Sequence, residues 1–334
     1  MAAKPDGAPA RQNGSAAKLG DDRIILDVVV VTKSGAPVSG LAQQDFTVLD
    51  NKVAQTIDSF RAVDGRQEPI ETVLVIDAVN TPFQTVAYER EEIDKFLRDE
   101  GGHLAHPMTL AIFTDTGTKI QEGFSSDGNA LSTSLDQLVI GLRDIRRSAG
   151  FYGAAERFEL SLKTLRDLIA HAATRPGRKI ILWVSPGWPL LSGPNVQMSG
   201  NEQQQLFSDI VSLSTQLRQA GVTLYSVDPR GAGAAGFSTF YWEDFVKGVS
   251  KANRTLPGDL ALQVFATQSG GVAFQPSNDI AALLRQCVAD TATYYEVSFS
   301  PASGDQPREY HHIEIHVAKP GVTARTRQGY YARP

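Results

Sequence analysis

Hydrophobic positions along this chain follow two patterns that take turns. Short unbroken apolar runs mark strands covered on both faces, and apolar residues every three or four positions mark one face of a helix. Thr72-Val73-Leu74-Val75-Ile76 is such a run, and it ends at Asp77. It predicts the central strand of a parallel sheet, with an acidic residue at its carboxyl end, where open α/β sheets bind ligands. A helix is predicted from about Val86 to Arg98, because Ile93, Phe96 and Leu97 form a stripe.

The theme repeats. Met108 to Phe113 predicts a strand, and Lys119 to Phe124 an antiparallel return at an edge. Asp127 to Leu142 predicts a helix with Leu131, Leu135 and Leu138 inward. Gly153 to Ala173 is the clearest helix, with Phe158, Leu162, Leu165 and Ile169 on one face. Lys179 to Val184 is a core strand ending at Ser185-Pro186-Gly187. Ser199 and Glu202 have capping-box spacing before a helix carrying Leu206, Ile210, Leu213 and Leu217. Val222 to Val227 is a strand ending at Asp228, Leu260 to Thr267 a helix, Val272 to Phe274 a short strand, and Asp279 to Asp290 a last helix.

Both ends of the chain have a different rhythm. Ile24 to Val31, Phe46 to Leu49 and Gln55 to Phe60 read as strands of a small β module over residues 22–66. Its core would be thin alone, so it should pack on something else. Tyr294 to Phe299 and Tyr310 to Val317 alternate as two strands around a turn at Gly304-Asp305-Gln306-Pro307. The predicted organisation is a flexible tail over 1–21, the β module over 22–66, an α/β domain over 67–292, and C-terminal strands over 293–334 packing with the module.

Composition changes little in this picture. Charged residues are 21%, hydrophobic residues 42%, and the net charge is -5, the profile of a globular protein and not of a nucleic-acid binder. No apolar run is long enough for a transmembrane helix. The single cysteine, Cys287, rules out an intrachain disulfide and reads as part of a buried helix face. The glycines between 231 and 236 lack the spacing and the Lys-Ser or Lys-Thr ending of a phosphate loop. His312, Glu314 and His316 share one strand face, which reads as a polar sheet surface rather than a metal site.

This order of strands and helices resembles the von Willebrand factor type A domain, and more closely the bacterial, acidobacterial-type VWFA-related proteins. The resemblance runs from Ile24 to Ala332. It rests on the leading module with Leu41, Asp45-Phe46 and Val48-Leu49-Asp50, and on the tail Arg327-Gln328-Gly329-Tyr330-Tyr331. It implies a doubly wound, mostly parallel sheet of Rossmann-like type, with the small β module joined by the C-terminal strands. It also implies an exported protein, in the cell envelope or outside it; Met1 to Gly20 lacks the apolar core of a signal peptide, so any native signal is expected to be absent from this chain.

The family often holds Mg²⁺ or another divalent cation in an Asp-x-Ser-x-Ser loop. Carried over position by position, Asp77 matches the aspartate, Val79 stands at the first serine and Thr81 at the second. The family's loop threonine falls near Gly150 to Gly153, where no Ser or Thr stands and Ser148 is the nearest, and a later aspartate aligns with Ser185. The candidate metal residues are therefore Asp77, Thr81 and Ser185, in a degenerate site that has lost a hydroxyl and a carboxylate. Mg²⁺ needs near-octahedral oxygen ligation with one or two carboxylates, so no cofactor is expected. The alternative for Asp77 is to bond to loop amides or cap the next helix.

The function expected from these residues is a non-enzymatic binding or adhesion module, recognising a protein or extracellular polymer through loops at the carboxyl ends of the strands. The candidate contact residues are Asp77, Asn80, Thr81, Tyr152, Ser185, Trp188, Asp228 and Trp242. A structural role in a surface assembly is a second reading. A third is a metal-dependent hydrolase using Asp77, Asp115 and Asp228, but the chain has neither a G-x-S-x-G elbow nor a His-Glu-x-x-His motif. The sequence leaves the partner's identity and the oligomeric state open.

Overall fold

The computed structural model describes residues 23–139, 150–191, 198–234, 241–301 and 307–332. Strand β5 (Glu71–Asp77) is the centre of the main sheet. It pairs in parallel with β6 (His103–Thr114) on one side and β9 (Lys179–Val184) on the other. Strand β10 (Val222–Val227) extends the sheet in parallel beyond β9. The edge beyond β6 is antiparallel, built from β7 (Gly117–Ile120) and β8 (Ser125–Asp127).

Every residue of β9 and β10 is buried, and so is β5 from Thr72 onward, which is why these strands read as unbroken apolar runs. Alternation sends their side chains into two cores. Val73, Val75, Ile181 and Trp183 meet α3 (Gly150–Ala173), α4 (Gly200–Gln219) and α5 (Leu262–Gln268). Leu74, Ile76, Ile180 and Leu182 meet α1 (Phe83–Arg98), α2 (Gly128–Val139) and α6 (Ile280–Ala289). Helix α4 starts at the expected capping box, with Ser199 accepting from the Glu202 N–H at 3.3 Å and the Glu202 carboxylate accepting from the Ser199 N–H at 2.6 Å. Cys287 is buried on the inner face of α6.

The two ends of the chain form two further sheets. Strand β1 (Ile24–Thr32) pairs with β11 (Thr293–Phe299) and β13 (Val322–Arg325), and β11 pairs with β4 (Ser59–Asp64). The other sheet runs β14 (Gly329–Tyr331), β12 (Tyr310–Val317), β2 (Phe46–Asp50), β3 (Val53–Gln55). Leu26, Val28, Val30, Phe46, Val48, Tyr295, Val297 and Ile313 fill the space between them. Strands β1 and β2 thus share one core with β11 and β12. Val29 points the other way, into the core under α1. Asp27 pairs at 3.3 Å with buried Arg178, whose guanidinium lies 4.5 Å from the Tyr294 ring, so a charged contact joins the sandwich to the α/β part.

Several expectations are corrected. The strands Tyr294 to Phe299 and Tyr310 to Val317 do not form one hairpin, because β11 and β12 lie in different sheets. The return from Gln55 to Phe60 is split between β3 and β4, again in different sheets. Val272 to Phe274 makes only a bridge, Ser226 to Ala273. In each case an alternating local pattern is right about exposure but silent about which strand is the partner. The expected helix end at Leu142, the inward side chain of Leu138, Ser148 and the turn at 304–306 lie outside the described residues.

Candidate functional site

Period-two alternation puts Asp77 on the same sheet face as Val73 and Val75, the face that carries Trp183 of β9. The carboxyl is fully buried there. Five donors converge on it. Oδ1 accepts the backbone N–H of Val79 at 3.0 Å and of Asn80 at 2.8 Å. Oδ2 accepts the Asn80 amide at 2.8 Å, the Ser185 hydroxyl at 2.8 Å and the Trp183 indole at 3.2 Å. The neighbours are held in turn. Asn80 also donates to Ser161 Oγ of α3 at 3.0 Å, and Ser185 Oγ accepts from the Gly187 N–H at 3.1 Å.

Thr81 is buried on the α1 side of this loop, beside Glu89. Burial pushes the Glu89 carboxyl well above the usual range, the charge of Asp77 pushes it further, and the Thr81 hydroxyl opposes. Burial also raises Asp77, against the pull of Asn80, Ser185 and Trp183. Asp77 has five donors that favour its anion, whereas neither carboxyl oxygen of Glu89 has a hydrogen-bond partner among the described residues. Of the two, Glu89 is therefore the group that holds a proton.

This geometry bears on the candidate metal residues. Both oxygens of Asp77 are occupied by donors, and the proton of Ser185 is committed to Asp77. A cation would have to displace N–H and O–H groups already in place, so the arrangement does not fit Mg²⁺ as it stands. Among the described residues no group of three or more His, Cys, Asp or Glu is placed to hold a metal. Asp77, Asp115 and Asp228 form no such group: Asp115 is exposed, and Asp228 is tied to Arg230 by bonds of 2.7–3.2 Å. That carboxylate raises the pKa of Arg230.

Above Asp77 the loops enclose a cavity of about 260 Å³. Asn80 comes from the loop after β5, residues 186–189 from the loop after β9, and Arg230 and Tyr241 from the chain after β10. Arg157 of α3 and Gln263 of α5 complete it. Gly187 has a φ of +101°, and a Cβ there would run into the Gln263 amide, so this corner needs glycine. Gln263 donates to the Pro186 carbonyl at 3.3 Å.

The other expected contact residues are dispersed. Tyr152 is 87% exposed near the start of α3. Trp242 is half-buried in a 3₁₀ turn, Tyr241–Phe245. Trp188 is only 4% exposed and packs edge-on against Trp183 at 5.6 Å, so its rings belong to the core and offer no broad contact face. Near the sandwich, a second cavity of about 570 Å³ is lined in part by His312, Glu314, His316, Lys247 and Arg325. The two imidazoles stand 3.8 and 3.7 Å from Glu314, a polar sheet face.

Sequence reasoning missed Trp183, Ser161, Glu89, Arg157, Arg230 and Gln263. A signal existed for two of them. Glu89 lies four before Ile93, and Ser161 three after Phe158, so both fall on the inward stripes of their helices. For the others the chain carried no local mark.

No family model matches the chain, and no curated protein matches it. Among solved structures, proximal thread matrix protein 1 from the mussel byssus is similar at 12% identity and a TM-score of 0.41, over 72% of this chain and 51% of that one. The manganese-loaded TRAP protein of Plasmodium vivax is similar at 11% identity and 0.36, over 81% and 97%. A von Willebrand factor type A protein from Catenulispora acidiphila is similar at 8% identity and 0.36, over 94% and 74%. The chain spans about half the length of the mussel protein. None of these likenesses carries a function across.

Proposed function

We propose that this chain is a non-enzymatic binding or adhesion-type module of an exported protein, meeting its partner through the loops at the carboxyl ends of the central strands. The observation that carries this reading is the crest cavity, which gathers side chains from the loops after β5, β9 and β10 at one edge of the sheet. The Asp77 network beneath it holds two of those loops together, through Asn80 and Ser185. Its role is positional: it keeps the crest in one shape and leaves recognition to the groups above. The arrangement favours binding over hydrolysis, because the buried strand-end carboxylates Asp77 and Asp228 are both held by donors.

The test is retention of the protein on the native cell-surface fraction. Asn80→Ala, Tyr152→Ala and Trp242→Ala should each reduce retention. Val53→Ala, on the exposed edge strand β3 of the sandwich, should leave it unchanged. Equal retention of all variants overturns the reading.

A further inference from the structure

Strands β12 and β13 follow one another in the chain, joined by residues 318–321, yet they lie in different sheets and do not pair. An antiparallel ladder bonds alternate residues of a strand to each side. On β12 the His312 carbonyl accepts from the Asn51 N–H, and just beyond it the Ala318 N–H donates to the Asp45 carbonyl. The even-numbered residues therefore turn their peptide groups to β2, and the odd-numbered ones turn theirs to the opposite edge. On that edge the Ile313 N–H reaches the Gln328 carbonyl at 2.9 Å, and past it no backbone bond among the described residues meets Ile315 or Val317. A similar argument holds for β13. The Val30 carbonyl accepts from the Val38 N–H at 2.8 Å and the Thr32 N–H donates to the Ala36 carbonyl at 2.9 Å, so Val29 and Val31 are the residues of β1 that face β13. The Ala324 peptide groups then point away from β1, and no backbone bond among the described residues meets them.

The cavity of about 570 Å³ lies between these two bare edges, with Ile315 on one wall and Ala324 on the other. Thr326 lines it too, at 7% exposure, and its hydroxyl has no hydrogen-bond partner among the described residues. Buried polar groups are expected to be paired. Peptide groups left open at every second residue match those of another extended chain. On its inner side the slot meets Ile315 and Ala324, which are only partly buried against the sandwich core. On its outer side it meets His312, Glu314 and His316. A fitting segment therefore alternates apolar and polar residues. A second copy of this chain does not fit, because each of its edge strands is already paired along its other side and could satisfy one wall only.

We infer that this slot receives one extended segment of a protein partner, alternately apolar and polar, which pairs with β12 and β13 together and joins the two sheets of the sandwich. The slot shares no lining residue with the crest cavity, so it stands or falls separately from the crest reading.

The test is a titration of the whole chain with the peptide acetyl-Lys-Val-Thr-Val-Thr-Val-Lys-amide, followed by backbone amide hydrogen exchange. At about ten times the Kd roughly one site in ten stays empty, so exchange at Ile315 and Ala324 should slow about tenfold, while Glu314, which faces β2, stays as it was. The counterpart with proline in place of the central valine lacks a donor and should protect neither amide. Ala324→Pro removes a donor that faces the slot and not β1, so the urea midpoint should hold while peptide protection at Ile315 falls. If that variant is destabilised, the two peptides on the unaltered protein still decide. Equal effects of the two peptides, protection of one edge alone, no protection at either, or protection in the free protein that is lost on dilution, as a second copy in the slot would give, each overturns the inference.

Discussion

Trp183 donates its indole N–H to Asp77 Oδ2 at 3.2 Å, from the neighbouring strand and in the fully buried interior of the sheet. An aspartate that reads in sequence as a ligand for an external ion is, in the fold, an acceptor for five internal donors. Asp77→Ala strands those donors in a buried site, so it should destabilise the protein by about 3–5 kcal/mol in urea unfolding. Trp183→Phe keeps most of the packing and removes one donor, and should cost about 1–3 kcal/mol. A loss below about 1 kcal/mol in Asp77→Ala would show that the network is not structural.

The same occupancy predicts how the protein responds to divalent ions. A ligand bound to the folded state alone, at a hundred times its Kd, adds about 2.7 kcal/mol. Millimolar Mg²⁺ should bring no such gain, and EDTA no loss, in the thermal midpoint. A midpoint that rises with Mg²⁺ and loses the rise in Asp77→Ala would restore a metal-dependent role.

Glu89 predicts a pH dependence of stability. Unfolded, its carboxyl titrates near the usual 4.5, and folded it titrates well above. The folded state therefore binds more protons between those values. Its contribution is fully present below about 4.5 and is lost as pH rises through the folded value. Glu89→Gln cannot ionise, so its stability should fall less steeply from pH 4.5 toward neutrality. Urea midpoints across that range check this, and parallel curves for both proteins would refute it.

The joint between the two ends of the chain can be tested at Tyr295. Its hydroxyl accepts from the Leu41 N–H at 3.2 Å and donates to the Val38 carbonyl at 2.8 Å, tying β11 to the N-terminal module. Tyr295→Phe leaves both groups without that partner and should cost about 1–3 kcal/mol. Unchanged stability would mean that Phe46, Phe60 and the other sandwich residues hold the joint without it.

Local sequence determined the elements of this protein. Unbroken apolar runs such as Val73 to Ile76 arise because both faces of a central strand are covered, and helix stripes arise because one face is. Those patterns record burial, which is a property of each residue, so the α/β class and the position of Asp77 at a strand end were legible. Pairing is a property of two distant segments. Nothing near Tyr294 says that β11 joins β1 and β4 rather than β12, because alternation is the same for any partner. The site divides in the same way. Asp77 was visible at its strand end, but Trp183, Ser161 and Ser185 reach it from other elements, and Arg157 and Arg230 approach the cavity above from segments far apart in the chain. Only the folded sheet, by bringing those segments to one edge, decided that the aspartate is enclosed.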